Sequence, residues 1–455
     1  MTDESYILCT ALVIAGLFAF QVITKKFDPF APIWLFLVGY VHLYVVQAMS
    51  LREWGVGVRG IEIVTAANLR ILWALIWFLA IYYLIPGKWL ARALPRPPEA
   101  WSVGAVCTVS PFLIAWGLVC AYAVIKQSMG LGDDPNSVSA EVVLLRSFPF
   151  VMMVAGVLLI VSGRQESNKN PLLLAFGLLI AASYVLIWTF NGKRSHSLIG
   201  LLSTVCAFYI SREKRPSWPV LIGTAVSGAL VVTLSIGWRN NPNYERTISG
   251  FVQYVGDFQF TNVLKSIDLE DEYADDSLNK LKTYESKEYG GFLLMLDTVP
   301  EKSDYDFGAN YLRTFSTFIP RLVWPDKPIY GREEWIKAWQ AGSEMKRDDD
   351  FTGPAIGLHG ATQLNGGTVG TLFVFAVIAV FLRTVYEYFR KYDHLPWVQV
   401  WWALSYFNAW FMVVNDDPMI WFYYNWGFTT MPSLALLWGM NKALVPAGRT
   451  SLVPA

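Results

Sequence analysis

PLLLAFGLLIAASYVLIWTF, residues 171–190, is a run of 20 residues without a charged side chain. At about 1.5 Å of rise per residue, it covers the ~30 Å hydrocarbon core of a bilayer as a single helix. An unpaired peptide group in lipid costs several kcal/mol, so such a run takes the form whose hydrogen bonds are all internal. Similar runs lie near residues 7–24, 31–50, 68–86, 103–125, 146–163, 196–211, 218–237, 362–382, 398–414 and 420–440. The chain therefore reads as an all-α polytopic membrane protein with about eleven transmembrane helices. The gaps at 191–195 and 415–419 are short enough to be tight turns or breaks within longer helices.

Composition agrees. Of 455 residues, 54% are hydrophobic and 16% charged, against about 25% charged in soluble domains. The 20 Trp, 22 Tyr and 28 Phe suit aromatic belts at the two membrane surfaces. A formal net charge of zero gives no bulk attraction to nucleic acid. Cys9, Cys107, Cys120 and Cys206 lie inside apolar runs, too far apart for a zinc pattern. The first six residues are acidic, and no small-residue cleavage site precedes Lys25 and Lys26, so no secretory signal is evident.

Orientation follows from Lys and Arg in the short loops. Fifteen fall in one set (25, 26, 88, 92, 96, 164, 169, 212, 214, 215, 383, 390, 391, 442, 449) and seven in the other (52, 59, 70, 126, 146, 193, 194). The richer set is cytoplasmic by the positive-inside trend. Residues 1–237 then carry the first eight helices, 238–361 form a long outer loop with short helices, 362–440 carry the last three helices, and 441–455 are a cytoplasmic tail. In a bacterial inner membrane the outer side is the periplasm. Within the loop, 268–288 is acidic and solvated, 290–296 is short and apolar and suits the interface, and 335–339 is amphipathic.

The chemistry-bearing residues gather on the outer side. FIPRLVWPDKP, residues 318–328, carries three prolines that fix φ and remove backbone donors. That rigid turn presents Arg321 and Lys327, and Arg313 lies eight residues before Arg321. Guanidinium groups suit a diphosphate because their paired N–H edges match its oxygens. Asn191, Gly192, Lys193 and Arg194 open an apolar helix. Cations there oppose the helix dipole unless an anion binds; the structural alternative is that they snorkel to lipid headgroups. Asn191 or Ser195 can cap that helix. Arg239 follows Trp238 at the outer end of the eighth helix, as an anion ligand or an interfacial anchor. His359, between glycines at the mouth of the ninth helix, is an accessible base or a loop histidine with a backbone partner. Gln363 and Asn365 either bond sugar hydroxyls or allow close helix packing. Asp416 and Asp417, in the short turn before Pro418, can serve as base or as plain turn residues.

The segments FGANY (307–311) and IPRLVWPDKP (319–328) resemble the periplasmic-loop signature of Wzy-type polysaccharide polymerases, among them O-antigen and enterobacterial common antigen polymerases. NGKRSH (191–196) is similar to the opening of a mid-chain helix in that family, and the glycine-rich entry at 353–370 fits as well. The turn at 415–418 departs from relatives, which carry an Arg near it. The resemblance implies a GT-C-like membrane glycosyltransferase that joins undecaprenyl-diphosphate-linked oligosaccharides into a surface polysaccharide. It implies Arg194, Arg313 and Arg321 on the diphosphate, assisted by Lys193, Arg239 and Lys327. It leaves His359 first and Asp417 second as base. The leaving group already carries its charge, so no metal or cofactor is expected. A flippase and a chain-length regulator are implied partners. The competing readings are an O-antigen ligase-like transferase and a lipid-linked glycan transporter or flippase.

Overall fold

A computed structural model describes residues 2–128, 148, 150–165, 169–240, 243–258, 287–309, 311, 319, 323–324, 355–415 and 423–444. Its helices, in chain order, are α1 (Asp3–Ile23), α2 (Pro32–Ser50, π-helical over His42–Val46), α3 (Arg52–Arg59), α4 (Ile61–Leu84) and α5 (Gly87–Ala93). There follow α6 (Val103–Ser128), α7 (Val151–Arg164), α8 (Pro171–Phe190), α9 (Arg194–Ile210), α10 (Trp218–Asn240) and α11 (Ile248–Gly256). The remainder are α12 (Glu288–Thr298), α13 (Gly357–Tyr392), α14 (Pro396–Ala403), α15 (Asn408–Val414) and, after a π-helical Tyr423–Thr430, α16 (Met431–Leu444). Among the described residues there is no strand.

Among the described residues, seven helices are long and apolar enough to cross a bilayer: α1, α2, α4, α6, α8, α10 and α13. The chain is an all-α, multi-pass membrane protein. The other four expected spans are built differently. The described residues of 146–163 hold the 14-residue α7, and 196–211 hold the 17-residue α9. Residues 398–414 divide into α14 and α15 at a turn, and 420–440 hold the π-helical stretch and α16. Mean hydropathy over a run does not register a turn inside it, which is why 398–414 read as one helix.

The helices assemble into two compact units that do not follow the linear division of the sequence. One comprises Met1–Leu94, Asp271–Tyr388 and Asn408–Trp421; the other comprises Pro95–Glu270, Phe389–Phe407 and Phe422–Ala455.

The second unit is organised around α7, all 14 of whose residues are buried. α6, α8, α9 and α14 pack on it. Glycine permits the close approaches: a Cβ on Gly163 of α7 would stand 2.5 Å from the Leu174 backbone nitrogen of α8, and one on Gly117 of α6 would stand 2.6 Å from the Met152 backbone nitrogen of α7. Apolar side chains gain nothing by leaving lipid for a helix interface, so contact area from small residues supplies the association.

In the first unit, Phe36 of α2 stacks on Phe78 of α4 with centroids 4.1 Å apart. The short helix α12 is not interfacial as expected; Tyr289 through Met295 are all buried. Polar ties hold it in place. Gln47 donates to Glu288 at 2.9 Å and accepts from the Tyr289 backbone N–H at 3.2 Å, while the Tyr289 hydroxyl donates to Asn68 at 2.8 Å. At its C-terminal end Asp297 accepts from Arg59 at 2.7 Å and from Lys302 at 3.0 Å. Burial works against the Asp297 charge, but those two hydrogen bonds and charges outweigh it and hold the carboxyl below its ordinary range.

A carboxyl held low contributes stability above its unfolded pKa and loses it as pH falls through the folded one. Asp297→Asn is expected to cost about 1 kcal/mol of stability at pH 7, the scale of a partly screened pair. Thermal unfolding in detergent should show the gap between variant and parent closing below about pH 4; a gap independent of pH would contradict the assignment.

Candidate functional site

α8 ends in a pattern its sequence requires. The Gly192 N–H donates to the Thr189 carbonyl at 3.0 Å and the Lys193 N–H to the Trp188 carbonyl at 2.9 Å. This double closure needs a left-handed residue, and Gly192 has φ +68°. Asn191 is thus the C-cap of α8 and not an N-cap of α9, whose N-cap position is Lys193, without a side-chain capping bond to the helix. The turn brings the start of α9 beside the end of α10, where a Cβ on Gly192 would lie 3.1 Å from the Arg239 Cβ. The junction is locked by Trp238, 2% exposed, whose indole N–H donates to the last α8 carbonyl, at Phe190, at 2.7 Å. Phe251 and Tyr254 of α11 pack on the same indole.

Over this floor opens a cleft of about 290 Å³ lined by Phe190, Asn191, Gly192, Lys193, Trp238, Arg239 and Arg246. Among the described residues that line it, three are cations and none is a carboxylate. The Arg246 guanidinium lies 4.9 Å over the Trp238 ring and donates to the Arg239 carbonyl. Partial burial, and then the Arg239 charge, hold the Arg246 pKa below its ordinary value, although an arginine stays charged near neutrality. An anion in the cleft relieves that repulsion. The space equals about ten waters, enough for phosphate groups.

The structure therefore brings together Lys193 and Arg239 of the expected set. Arg194 is exposed and outside the lining. Arg246 was missed; its signal was its distance of seven residues from Arg239, the same kind of spacing that singled out Arg313 and Arg321. Arg313, Arg321, Lys327 and Asp417 lie outside the described residues.

His359, in the other unit, is not at an open mouth. It lies within α13, is 0% exposed, and is walled by Tyr44, Phe292 and Phe375 with centroids 4.6, 5.1 and 4.9 Å away. The Tyr40 hydroxyl donates to the Ile71 carbonyl at 2.6 Å, so its 2.8 Å contact with His359 Nε2 requires Nε2 to carry a proton and donate. Nδ1 is enclosed and meets no hydrogen-bond partner.

Asn365 is likewise committed to structure. α13 breaks at Gly366 and Gly367, and this freed backbone is taken up by the 305–308 loop. The Asp306 N–H donates to the Leu364 carbonyl and the Gly308 N–H to Asn365 Oδ1, both at 2.9 Å, while Asn365 Nδ2 donates to the Ala361 carbonyl. Gln363 donates to the Val299 carbonyl and accepts from Arg70, which also reaches Thr368 at 3.2 Å. Arg70 had been counted with the loop cations; it lies inside α4, about 14 Å along it from Ile61.

In comparisons with known proteins, the chain matches no family model, no curated protein and no solved structure.

Gly192→Ala forces a Cβ into a left-handed turn and against Arg239. It should cost about 1 kcal/mol or more in thermal stability and weaken anion binding by the cleft, read by titration with pyrophosphate. Tyr40→Phe strands the His359 Nε2 proton and should lower stability by about 1–2 kcal/mol. An unchanged melting temperature in that variant would refute the tautomer.

Proposed function

We propose that the chain is an integral-membrane glycosyltransferase of the Wzy type. It polymerises undecaprenyl-diphosphate-linked oligosaccharide repeat units at the periplasmic face of a bacterial inner membrane. The supporting observation is the cleft on which Lys193, Arg239 and Arg246 converge, with no carboxylate among its described lining residues. In this reading the four shorter helical segments complete an eleven-span, GT-C-like bundle. A flippase supplies the substrate, and a chain-length regulator acts on the product.

The chemistry follows from the leaving group. The acceptor sugar hydroxyl attacks the donor's anomeric carbon. The new glycosidic C–O bond forms as the bond to the diphosphate oxygen breaks, and the hydroxyl proton passes to a base. Undecaprenyl diphosphate departs with the electron pair. Cations fixed in place beforehand stabilise that developing charge without reorganising. Lys193, Arg239 and Arg246 take this role, with Arg194, Arg313, Arg321 and Lys327 assigned to the rest of the substrate's phosphates. The proton falls to His359 or Asp417. For His359 the aromatic wall must open, because its unprotonated nitrogen is the enclosed Nδ1.

Purified protein incubated with a lipid-linked repeat unit should yield a ladder on a gel, and the ladder should survive EDTA. Arg239→Ala and Arg246→Ala should each slow its formation about 100-fold, the scale of a lost charge-stabilising donor, and Arg321→Ala should abolish it. Normal chain lengths from well-folded variants would sink the diphosphate assignment. Transfer only to a lipid A core acceptor would mark a ligase.

A further inference from the structure

At the far end of α9 from the cleft, two guanidinium groups share one corner, and no acid among the described residues pairs with them. Arg164, the last residue of α7, is only 8% exposed. Its guanidinium carbon lies 3.5 Å over the ring centroid of Phe208 on α9. The ring takes the face of the cation and leaves its edges for hydrogen bonds. Its Nε is enclosed and meets no acceptor. Arg212 lies four residues after Phe208, in the turn that closes α9, where its backbone N–H donates to the Tyr209 carbonyl at 3.2 Å; α9 packs on α7, so Arg212 stands at the same end of the helix pair as Arg164. The Arg212 Nε is also enclosed and unbonded. Among the described residues no carboxylate pairs with either group, whereas Arg215 has Asp393 at 3.8 Å.

Two like charges held side by side, one of them buried and unpaired, are strongly unfavourable unless an anion joins them. The nearby start of α8 does not compete for that anion, because Asn170 already accepts from the Leu172 and Leu173 N–H groups. What remains for an anion is the Nη ends of the two guanidinium groups, whose N–H donors suit phosphate oxygens. The 17 residues of α9 separate this corner from Lys193 by about 25 Å, roughly the thickness of the hydrocarbon. It therefore faces the opposite leaflet from the cleft, where anionic headgroups meet basic side chains.

We propose that Arg164 and Arg212 form a phosphate-binding site at the end of α7 and α9, occupied by the headgroup of an anionic phospholipid or by free phosphate. This site is independent of the polymerase reading, since none of its residues belongs to the cleft.

The test uses the full chain in nanodiscs of phosphatidylcholine, with and without phosphatidylglycerol, and in neutral detergent with and without inorganic phosphate. Native mass spectrometry counts retained lipids, and thermal unfolding reads stabilisation. The parent should retain at least one more phosphatidylglycerol than Arg212→Gln or Arg164→Gln. Its melting temperature should rise by several degrees with the ligand, and that rise should vanish in both variants. Stabilisation by phosphatidylglycerol alone identifies the lipid as the source; stabilisation by inorganic phosphate in detergent identifies the free ion. Should Arg164→Gln fail to fold, Arg212→Gln, at a half-buried position outside the helix, carries the test. Equal lipid retention and equal shifts in parent and Arg212→Gln would overturn the site.

Discussion

Inside a bilayer the backbone has no water to bond, and every peptide group must find its partner within the protein. This constraint turns each apolar run into a helix and pushes the remaining polar problem to helix ends and breaks. The chain answers that problem in three places. At the end of α8 a left-handed Gly192 closes two carbonyls and the Trp238 indole closes a third. At the break in α13 the 305–308 loop and Asn365 supply the missing partners. At the foot of α12, Gln47 meets both a backbone N–H and the Glu288 carboxylate.

The first of these places also gathers basic side chains. The junction of α8, α9 and α10 had to be stiff to satisfy its backbone, and that stiffness fixes Lys193, Arg239 and Arg246 around one cleft. A basic side chain on a loop tip would lose rotamer freedom on binding an anion, whereas here the Arg246 guanidinium is already held by the Trp238 face and the Arg239 carbonyl. His359 shows the opposite outcome. Its surroundings bind it so fully that its open lone pair is turned inward, and it acts as a tie between α13 and α2.

Much of the architecture was legible because hydropathy and length are local properties. The run at 171–190 matches α8 residue for residue, and the run at 7–24 matches α1 nearly so. Residues 398–414 misled because two helices and the turn between them are equally apolar. Glycines flanking His359 read as an exposed loop, yet Gly357 and Gly360 are the start of α13, packed against Glu288 and Ile356. Arg246 escaped notice because what brings it to Arg239 is the folding-back of α11 onto Trp238, a contact with no periodic signature in the chain.

The sequence by itself determined that this is a helical membrane protein, where its long spans run, and that cations gather at the turn after residue 190. Those features follow from the free energy of placing each side chain in lipid or water, a sum over local residues. Only the tertiary structure decided that Lys193 and Arg239 share a cleft with Arg246, that His359 is sealed in an aromatic wall, and that Arg164 is buried against Phe208. Each of these depends on which helix packs beside which, and shape complementarity among many side chains sets that, not any one stretch of sequence.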